Sequence, residues 1–419
     1  MAISRAIVYH SVRYDVWNLL TSLSSRQLRP SPESAARTKK FESDFARYLG
    51  ARHALAFPFA RTALYFALKS QGFEEGAEII MPPITIKPMM DVVLALKLKP
   101  VLVDINRDTL CFDLEKLREA ITHKTKAIVI TYLFGIVPEL GQLMSLCREW
   151  GLFVVEDFSH NLNATFQGKK LGTFGDVGIY SCSATKTLDA YGGGLAVTDD
   201  EAIFLALQQA QTTLAPTPGN RLRSKILRSL VWNLATNKLV FTLATFPMLR
   251  LMRKVSPGVE QIITGARVGL KPASSLSEAY FEQFTGLQAK AGLAMLKKVG
   301  EEDAKRIANV ENIKRSLPPC GKPYPRTLDG CRHVYWQFVV YPPDGVKFKK
   351  MLARRGIDTG ATNLSLIPQL GIYPEHERPC PSGEYVKRNA FFIPAYGRLS
   401  DRDLEKVQAA LREALCEKR

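Results

Sequence analysis

Residues 152–197 have the sequence LFVVEDFSHNLNATFQGKKLGTFGDVGIYSCSATKTLDAYGGGLAV, and this stretch decides the fold. It opens with an apolar, strand-like run that ends at the acidic pair Glu156-Asp157. A second strand-like run covers residues 177–181, and Lys186 follows in a loop of small residues, shortly before the glycines at 192–194. Carboxylates at the carboxyl ends of strands point into the crevice where open α/β sheets bind ligands. The stretch therefore predicts an aspartate and a lysine in one crevice.

The combination of Asp157 and Lys186 predicts a particular cofactor. A lysine in a crowded, glycine-lined loop has its pKa lowered by burial, which makes the amine a nucleophile towards aldehydes. Pyridoxal phosphate requires such a lysine for its Schiff base. It also requires an acidic partner that keeps the pyridine nitrogen protonated, so that the ring accepts electrons. The two residues together therefore predict a pyridoxal-phosphate site.

The same motifs resemble those of the sugar aminotransferases of the DegT/DnrJ/EryC1/StrS type. VEDFSH is similar to the family's V-E-D strand end and places His160 where the family has a glutamine that contacts the ring hydroxyl. GDVGIYSCSATK is similar to the family's G-D and F-S-F-x-x-x-K segments. The resemblance implies that Lys186 is the catalytic Schiff-base lysine, that Asp157 faces the pyridine nitrogen, and that Ser181 holds the cofactor phosphate. Relatives that dehydrate instead of transaminating have replaced this lysine.

Further cofactor-binding residues follow from the resemblance. Ala60-Arg61-Thr62 occupies the family's S-G-T segment, where the threonine and a helix N-terminus hold the phosphate. Arg61 replaces a glycine and adds a cation there. Ile86 stands where the family has an aromatic residue on the pyridine ring. Phe281 and Gln283 occupy two positions from which family members bind the cofactor phosphate in the neighbouring subunit. The resemblance therefore also implies a homodimer.

Alternating strand and helix patterns predict an α/β fold with a mostly parallel central sheet, helices on both faces and a smaller α/β C-terminal domain. The resemblance assigns this to fold type I of the pyridoxal-phosphate-dependent transferases. We expect an N-terminal segment over 1–40 that ends in a basic link, a large cofactor-binding domain over 41–300, and a small domain over 301–419. Buried strands are predicted at 54–57, 78–81, 100–105, 126–133, 152–155, 177–181 and 334–341.

Composition sets further limits. With 419 residues the chain is too long for one compact core, so two lobes are expected. Seven scattered cysteines without C-x-x-C, and histidines without ligand spacing, argue for a reducing compartment and against a metal site. The first residues lack the apolar core of a signal peptide. These features predict a cytoplasmic protein, and the net charge of +17 predicts anionic partners.

An insertion at about 205–275 departs from the family pattern. Residues 202–259 contain no Asp or Glu, and residues 221–254 carry eight Lys or Arg side chains between long apolar runs. On a helix, Leu222, Ile226, Leu227, Leu230, Val231 and Leu234 share one face, and Arg221, Lys225 and Arg228 lie mostly on the other. One interpretation is a helix that lies on an anionic membrane surface on the cytoplasmic side. The other is a cover over the active site or dimer interface, while nucleic-acid binding is a weaker third option.

The expected reaction is transfer of an amino group from an amino acid, glutamate by resemblance, to a keto or aldehyde group of a sugar. A soluble nucleotide-linked sugar is the default acceptor, with a role in cell-surface glycan or amino-sugar biosynthesis. The basic insertion suggests instead a lipid-linked acceptor at the membrane. A different class of function is a non-catalytic binding or regulatory protein on a degenerate aminotransferase scaffold.

Overall fold

The central sheet is the frame of the molecule. The computed structural model describes residues 6–8, 31–255, 275–317, 323–376 and 378–416. The seven strands of the sheet are β1 (His53–Phe57), β2 (Glu78–Met81), β3 (Lys99–Leu102), β4 (Thr125–Thr131), β5 (Phe153–Asp157), β6 (Val177–Ser181) and β7 (Gly194–Thr198).

The strand order is β1-β7-β6-β5-β4-β2-β3. The four pairings from β6 to β3 are parallel, whereas β7 pairs antiparallel with both of its neighbours. Six strands therefore run in one direction and β7 alone runs in the other. This confirms the predicted fold class.

Helices cover both faces of the sheet because its central strands are apolar on both sides. In β4, Ile128 and Ile130 pack in one core, and Ala127 and Val129 pack in the core on the opposite face. The helices of this lobe are α1 (Pro32–Leu49), α2 (Ala60–Ser70), α3 (Lys87–Ala95), α4 (Leu114–Ala120), α5 (Gly141–Glu149) and α6 (Glu201–Thr212).

The insertion is helical where the structure describes it, and its residues 256–274 lie outside the described residues. It contains α7 (Gly219–Ala235), the short α8 (Lys238–Val240), a π-helical turn (Phe241–Thr245) and α9 (Phe246–Val255). No helix of the described residues is long and apolar enough to cross a bilayer.

The C-terminal part builds a second core around a three-stranded sheet. Its strands are β8 (Phe338–Val340), β9 (Gly360–Ala361) and β10 (Phe391–Ile393), with β10 between the other two. Its helices, together with those that connect the lobes, are α10 (Gly286–Leu296), α11 (Val299–Ser316), α12 (Gly345–Arg354), α13 (Pro381–Asn389) and α14 (Asp401–Cys416).

The N-terminal segment differs from the prediction. The expected basic link at 37–40 is wrong, because α1 already begins at Pro32. Ser31 caps this helix by accepting a hydrogen bond from the Ser34 N–H, and Lys40 pairs with Asp44 at 2.9 Å one turn later. Residues 6–8 join the C-terminal lobe, where the Ile7 N–H donates to the Gly356 carbonyl oxygen. Residues 9–30 of the predicted segment lie outside the described residues.

Candidate active site

Most of the polar residues predicted for the site lie at one edge of the central sheet. Asp157 ends β5, Ser181 ends β6, and Gly194 begins the antiparallel β7, where it pairs with both Ser181 and Phe57. Because β7 runs against its neighbours, its first residue lies at the same edge as their last residues. The loop with Lys186, which joins β6 to β7, therefore starts and ends there.

Asp157 is held by a local turn. Its Oδ1 accepts hydrogen bonds from the N–H and the hydroxyl of Ser159. In the part of the chain that the structure describes, Oδ2 accepts none. Burial raises the pKa of Asp157, while the bonds from Ser159 and the charge of Lys186 oppose this rise. One carboxylate oxygen is thus fixed and the other is available to a ligand.

Glu156, the preceding residue, has a structural role. Its buried carboxylate accepts hydrogen bonds from the Tyr132 hydroxyl and from the N–H groups of Gly172, Phe174 and Gly175, at 2.6–2.8 Å. These bonds tie the connection before β6 to the end of β5. The acidic pair therefore combines a structural carboxylate, that of Glu156, with the carboxylate of Asp157, which lies near Lys186.

Lys186 lies close to Asp157. Burial lowers the pKa of Lys186 to about 8, and the carboxylate of Asp157 opposes the shift. The ammonium nitrogen is 4.7 Å from the ring centroid of Trp336, in the range of a cation–π contact. The structure thus brings the predicted aspartate and lysine together, and the lysine has a pKa suited to proton transfer near neutral pH.

His160 lies beside this pair. Its ring stacks on Trp336 with centroids 3.9 Å apart and planes 4° from parallel. Its Nδ1 accepts a hydrogen bond from the Phe134 N–H, and burial lowers the pKa of His160 well below its ordinary value. A neutral imidazole that accepts at Nδ1 carries its proton at Nε2, so His160 is a hydrogen-bond donor there.

Trp336 reaches the site from the C-terminal lobe. Its Nε1 donates to the Thr185 carbonyl oxygen at 2.8 Å, directly before Lys186. The approach depends on Gly135, because a Cβ there would stand 2.2 Å from the backbone nitrogen of Trp336. Gly135 also accepts hydrogen bonds from the N–H groups of Val334 and Tyr335. The predicted strand at 334–341 is therefore wrong at its start: Tyr335 has a φ of 47° and only Phe338–Val340 is extended.

Serine hydroxyls continue along the edge. The Ser181 N–H donates to Ser159 Oγ at 3.0 Å, and the Ser181 hydroxyl donates to Ser183 Oγ at 3.0 Å. Ser181 therefore lies between the Asp157 turn and the Lys186 loop. Sequence reasoning singled out Ser181 but missed Ser159 and Ser183.

The N-terminus of α2 meets the glycine run. A Cβ at Gly194 would stand 2.1 Å from the Ala60 nitrogen, so only glycine permits this contact. The Thr62 hydroxyl donates to the Tyr280 carbonyl oxygen at 3.0 Å, and the Thr62 N–H donates to the Phe59 carbonyl oxygen at 3.1 Å. Both donors of Thr62 are thus used within the protein. Ala60 and Arg61 remain as the donors that this helix end offers to an anion.

The remaining predicted residues lie further out. Gln283 donates from its side chain to the Leu214 carbonyl oxygen at 3.0 Å, so one of its amide hydrogens is used within the chain. Phe281 packs edge-on against Tyr65. Ile86 precedes α3 with 38% of its surface exposed. Among the described residues, no group of three or more His, Cys, Asp or Glu side chains is arranged to hold a metal ion.

The predicted faces of α7 need correction. Leu222 and Ile226 are buried against Tyr191 and Leu287, but the other apolar residues predicted on their face include Leu227, Val231 and Leu234, which are exposed. Lys225, assigned to the outer face, turns inward to Gly192. The cover interpretation thus describes the inner face of α7, which packs on the loop that follows Lys186.

The fold and the paired Asp157 and Lys186 define an α/β enzyme that places a nucleophilic lysine beside a carboxylate at the sheet edge. The chain belongs to the DegT/DnrJ/EryC1/StrS aminotransferase family, whose model matches residues 24–214 and 272–412. It is therefore a pyridoxal-phosphate-dependent aminotransferase. This finding supports the enzyme and not the non-catalytic scaffold.

One named relative and two solved structures illustrate what this chain is similar to. The chain is 26% identical to the GDP-perosamine synthase of Caulobacter vibrioides over 90% of this chain and 89% of that protein. A DegT/DnrJ/EryC1/StrS aminotransferase from Brucella abortus has a TM-score of 0.73 at 19% identity, covering 96% of this chain and 95% of that one. A putative sugar aminotransferase from Streptococcus pneumoniae, in its PMP form, has a TM-score of 0.69 at 17% identity, covering 99% and 97%.

The residues of the site fit the cofactor. Asp157 presents one open carboxylate oxygen, and Lys186 has the lowered pKa that a nucleophilic amine needs. Arg61, at the N-terminus of α2, has a buried Nε that makes no hydrogen bond within the described residues. A group with a basic ring nitrogen, an aldehyde and a phosphate matches these three features in turn.

Proposed function

We propose that this enzyme transfers an amino group from an amino acid, glutamate by resemblance, to a keto or aldehyde group of a sugar. The observation that carries the proposal is the placement of Asp157 and Lys186 together at one edge of the sheet, where the carboxylate opposes the lowered pKa of the amine. Sugar substrates are supported by the family and by the name of the Caulobacter relative.

We assign roles to the chain's own residues. When bound, pyridoxal phosphate supplies an electron sink for the electron pair left behind when a proton leaves the donor's carbon. Asp157 Oδ2 would face the ring nitrogen of the bound cofactor and would stabilise its positive charge. His160 would donate from Nε2 to the ring oxygen, and Ser181 with the N-terminus of α2 would hold the phosphate. Ile86 would cover the ring, as the resemblance implies.

Lys186 is the proposed general base and acid. With a pKa of about 8, a useful fraction of its amine is neutral near pH 7 and can remove a proton from a substrate carbon. The resulting ammonium then returns the proton at another carbon. Its contact with the Trp336 ring keeps the amine in the cleft between these two steps.

The cofactor assignment is tested by absorbance. The purified protein should show a band at about 410–420 nm that Lys186→Ala loses and that the exposed-lysine control Lys124→Ala keeps. A band of unchanged position and intensity in Lys186→Ala would contradict the assignment. Mass spectrometry of a panel of keto-sugars incubated with glutamate then identifies the acceptor by its mass change.

The outer face of the insertion supports a peripheral membrane role. Among the described residues, this face combines large exposed apolar side chains with the exposed cations Arg223, Arg228 and Arg250. Apolar side chains set among cations and no acids fit the surface of an anionic bilayer. The exposed apolar residues are Leu227, Val231, Leu234, Leu239, Leu243, Met248, Leu251 and Met252.

We infer that this face binds anionic lipid and gives the enzyme access to a lipid-linked or membrane-bound sugar. A variant with Val231→Ser, Leu234→Ser and Leu251→Ser should pellet less with phosphatidylglycerol vesicles than the parent protein. Leu205→Ser, which alters an exposed leucine of α6, should pellet like the parent. Equal pelleting of the parent protein, the triple variant and Leu205→Ser would contradict the inference. A lower mass of the triple variant in light scattering would instead identify the face as a contact in the expected homodimer.

A further inference from the structure

A lysine of the insertion enters the active-site region. Lys225 lies on the inner side of α7, and its Nζ is 3.4 Å from the position that a Cβ on Gly192 would occupy. The N–H of Gly192 donates to the carbonyl oxygen of Cys182, the residue after Ser181. Lys225 therefore lies against the loop that carries Lys186, at the end near β7.

A second cation meets Lys225 there. The guanidinium carbon of Arg61 lies 3.7 Å from the ring centroid of Phe59, and the Lys225 Nζ lies 5.2 Å from the same centroid. The guanidinium carbon of Arg61 also lies 4.6 Å from the ring centroid of Tyr280. Both cations thus surround the residue that directly precedes α2.

The nearby carboxylates are paired with other cations. Glu282 binds Arg221 at 2.8 Å, and Asp91 binds Lys87 at 2.6 Å. Within the described ranges, neither Lys225 nor Arg61 forms an ion pair of its own. Burial lowers the pKa of Lys225, and Arg61 lowers it further while Glu282 opposes the shift.

Two like charges that are partly withdrawn from water repel each other and lose hydration. Such an arrangement is stabilised by a bound anion that faces both cations. The neighbouring N-terminus of α2 adds unpaired N–H donors and a favourable dipole. The buried Nε of Arg61, which makes no hydrogen bond within the described residues, is a further donor at the same place.

We propose that Lys225 and Arg61 together bind a phosphate group beside the N-terminus of α2, so that the insertion supplies a ligand-binding residue to the active site. The phosphate belongs either to the cofactor or to a phosphorylated or nucleotide-linked substrate. The naming of these two sources rests on the proposed function. Binding of the anion itself does not.

The test uses the full-length apoprotein and three probes, which are pyridoxal phosphate, pyridoxal without phosphate, and inorganic pyrophosphate. Affinities are measured by absorbance titration for the first two and by calorimetry for the third. Lys225→Met removes the charge, and Lys225→Arg keeps it. Arg223→Met removes an exposed cation two residues away on the same helix and is the matched control.

We expect Lys225→Met to weaken binding of a phosphate-bearing probe by roughly 10- to 100-fold, the usual effect of one charge-assisted hydrogen bond. Lys225→Arg and Arg223→Met should bind like the parent, and pyridoxal should be unaffected throughout. If Lys225→Met binds pyridoxal phosphate more weakly, the phosphate at this site belongs to the cofactor. If Lys225→Met binds only pyrophosphate more weakly, the phosphate at this site belongs to the substrate.

The variant should fold, because replacing one of two repelling cations by methionine removes an unfavourable interaction. The melting temperature without anion should therefore stay level or rise, and pyrophosphate should raise it less than in the parent. Unchanged affinity of Lys225→Met for both phosphate probes overturns the proposal. Pyrophosphate binding that depends on Lys225 in a protein without the absorbance band would instead overturn the proposed function and keep this site.

Discussion

Replacing Trp336 by phenylalanine tests whether the C-terminal lobe fixes the loop that carries Lys186. The substitution keeps an aromatic ring against His160 but removes the indole N–H that donates to the Thr185 carbonyl oxygen at 2.8 Å. Thr185 has a φ of 77°, which a threonine adopts only when its surroundings hold it there. The lost bond should therefore release the loop locally rather than unfold the protein.

The free energy lost with this hydrogen bond depends on how exposed its acceptor, the Thr185 carbonyl oxygen, is to water. Leaving a buried acceptor without its donor costs about 1–3 kcal/mol, and the lower value applies because Thr185 is only half-buried. About 1 kcal/mol corresponds to roughly a fivefold shift in a local opening equilibrium. Amide exchange of residues 182–193, followed by mass spectrometry, should therefore be roughly five times faster in Trp336→Phe.

Trp232→Phe is the control. Its indole nitrogen is buried and has no hydrogen-bond partner among the described residues, so its removal breaks no such bond. Exchange of residues 182–193 should stay at the parent rate in this variant. If Trp336→Phe also exchanges at the parent rate, the hydrogen bond does not hold the loop and the reasoning is refuted.

Two further predictions concern the same edge of the sheet. Acylation of Lys186 in the apoprotein should rise with pH around about 8, and Asp157→Asn should move that midpoint to lower pH because it removes the charge that favours the ammonium. A shift of the acylation midpoint to higher pH would contradict the close placement of Asp157 and Lys186. Gly194→Ala should lower the melting temperature and weaken binding of pyridoxal phosphate, because the new Cβ would stand 2.1 Å from the Ala60 nitrogen. Gly300→Ala, in a helix with space around it, should be neutral or stabilising.

Local patterns predicted the strands of the large lobe well. The strands at 78–81 and 177–181 were predicted to the residue, because short apolar runs there are bounded by Gly, Pro or Asp. The start of α1 was missed, since the basic residues before position 41 resemble a linker. On the helix, one of them, Lys40, pairs with an aspartate one turn away.

Long-range contacts were beyond the sequence pattern. Asp157 and Lys186 were found because the motif that contains them is continuous and each follows a strand of the same sheet. Trp336 comes from another lobe, about 150 residues further along the chain, and its place within an apolar run that predicts a strand looks like ordinary core. Lys225 was assigned to the solvent side because helical periodicity separates charged from apolar residues. The pattern cannot show that a charged face is turned towards an active site.

The two faces of α7 connect the two proposals made for the insertion. Ile226 is buried beside the loop that follows Lys186, and the next residue, Leu227, is exposed on the outer side. Because both belong to one rigid helix, a surface that binds the outer face also fixes the inner face, and with it Lys225. If the outer face binds a membrane as proposed, the free energy gained there also favours the arrangement in which Lys225 lies beside Arg61. An acceptor held at a membrane would thus meet an active site that the same membrane has helped to order.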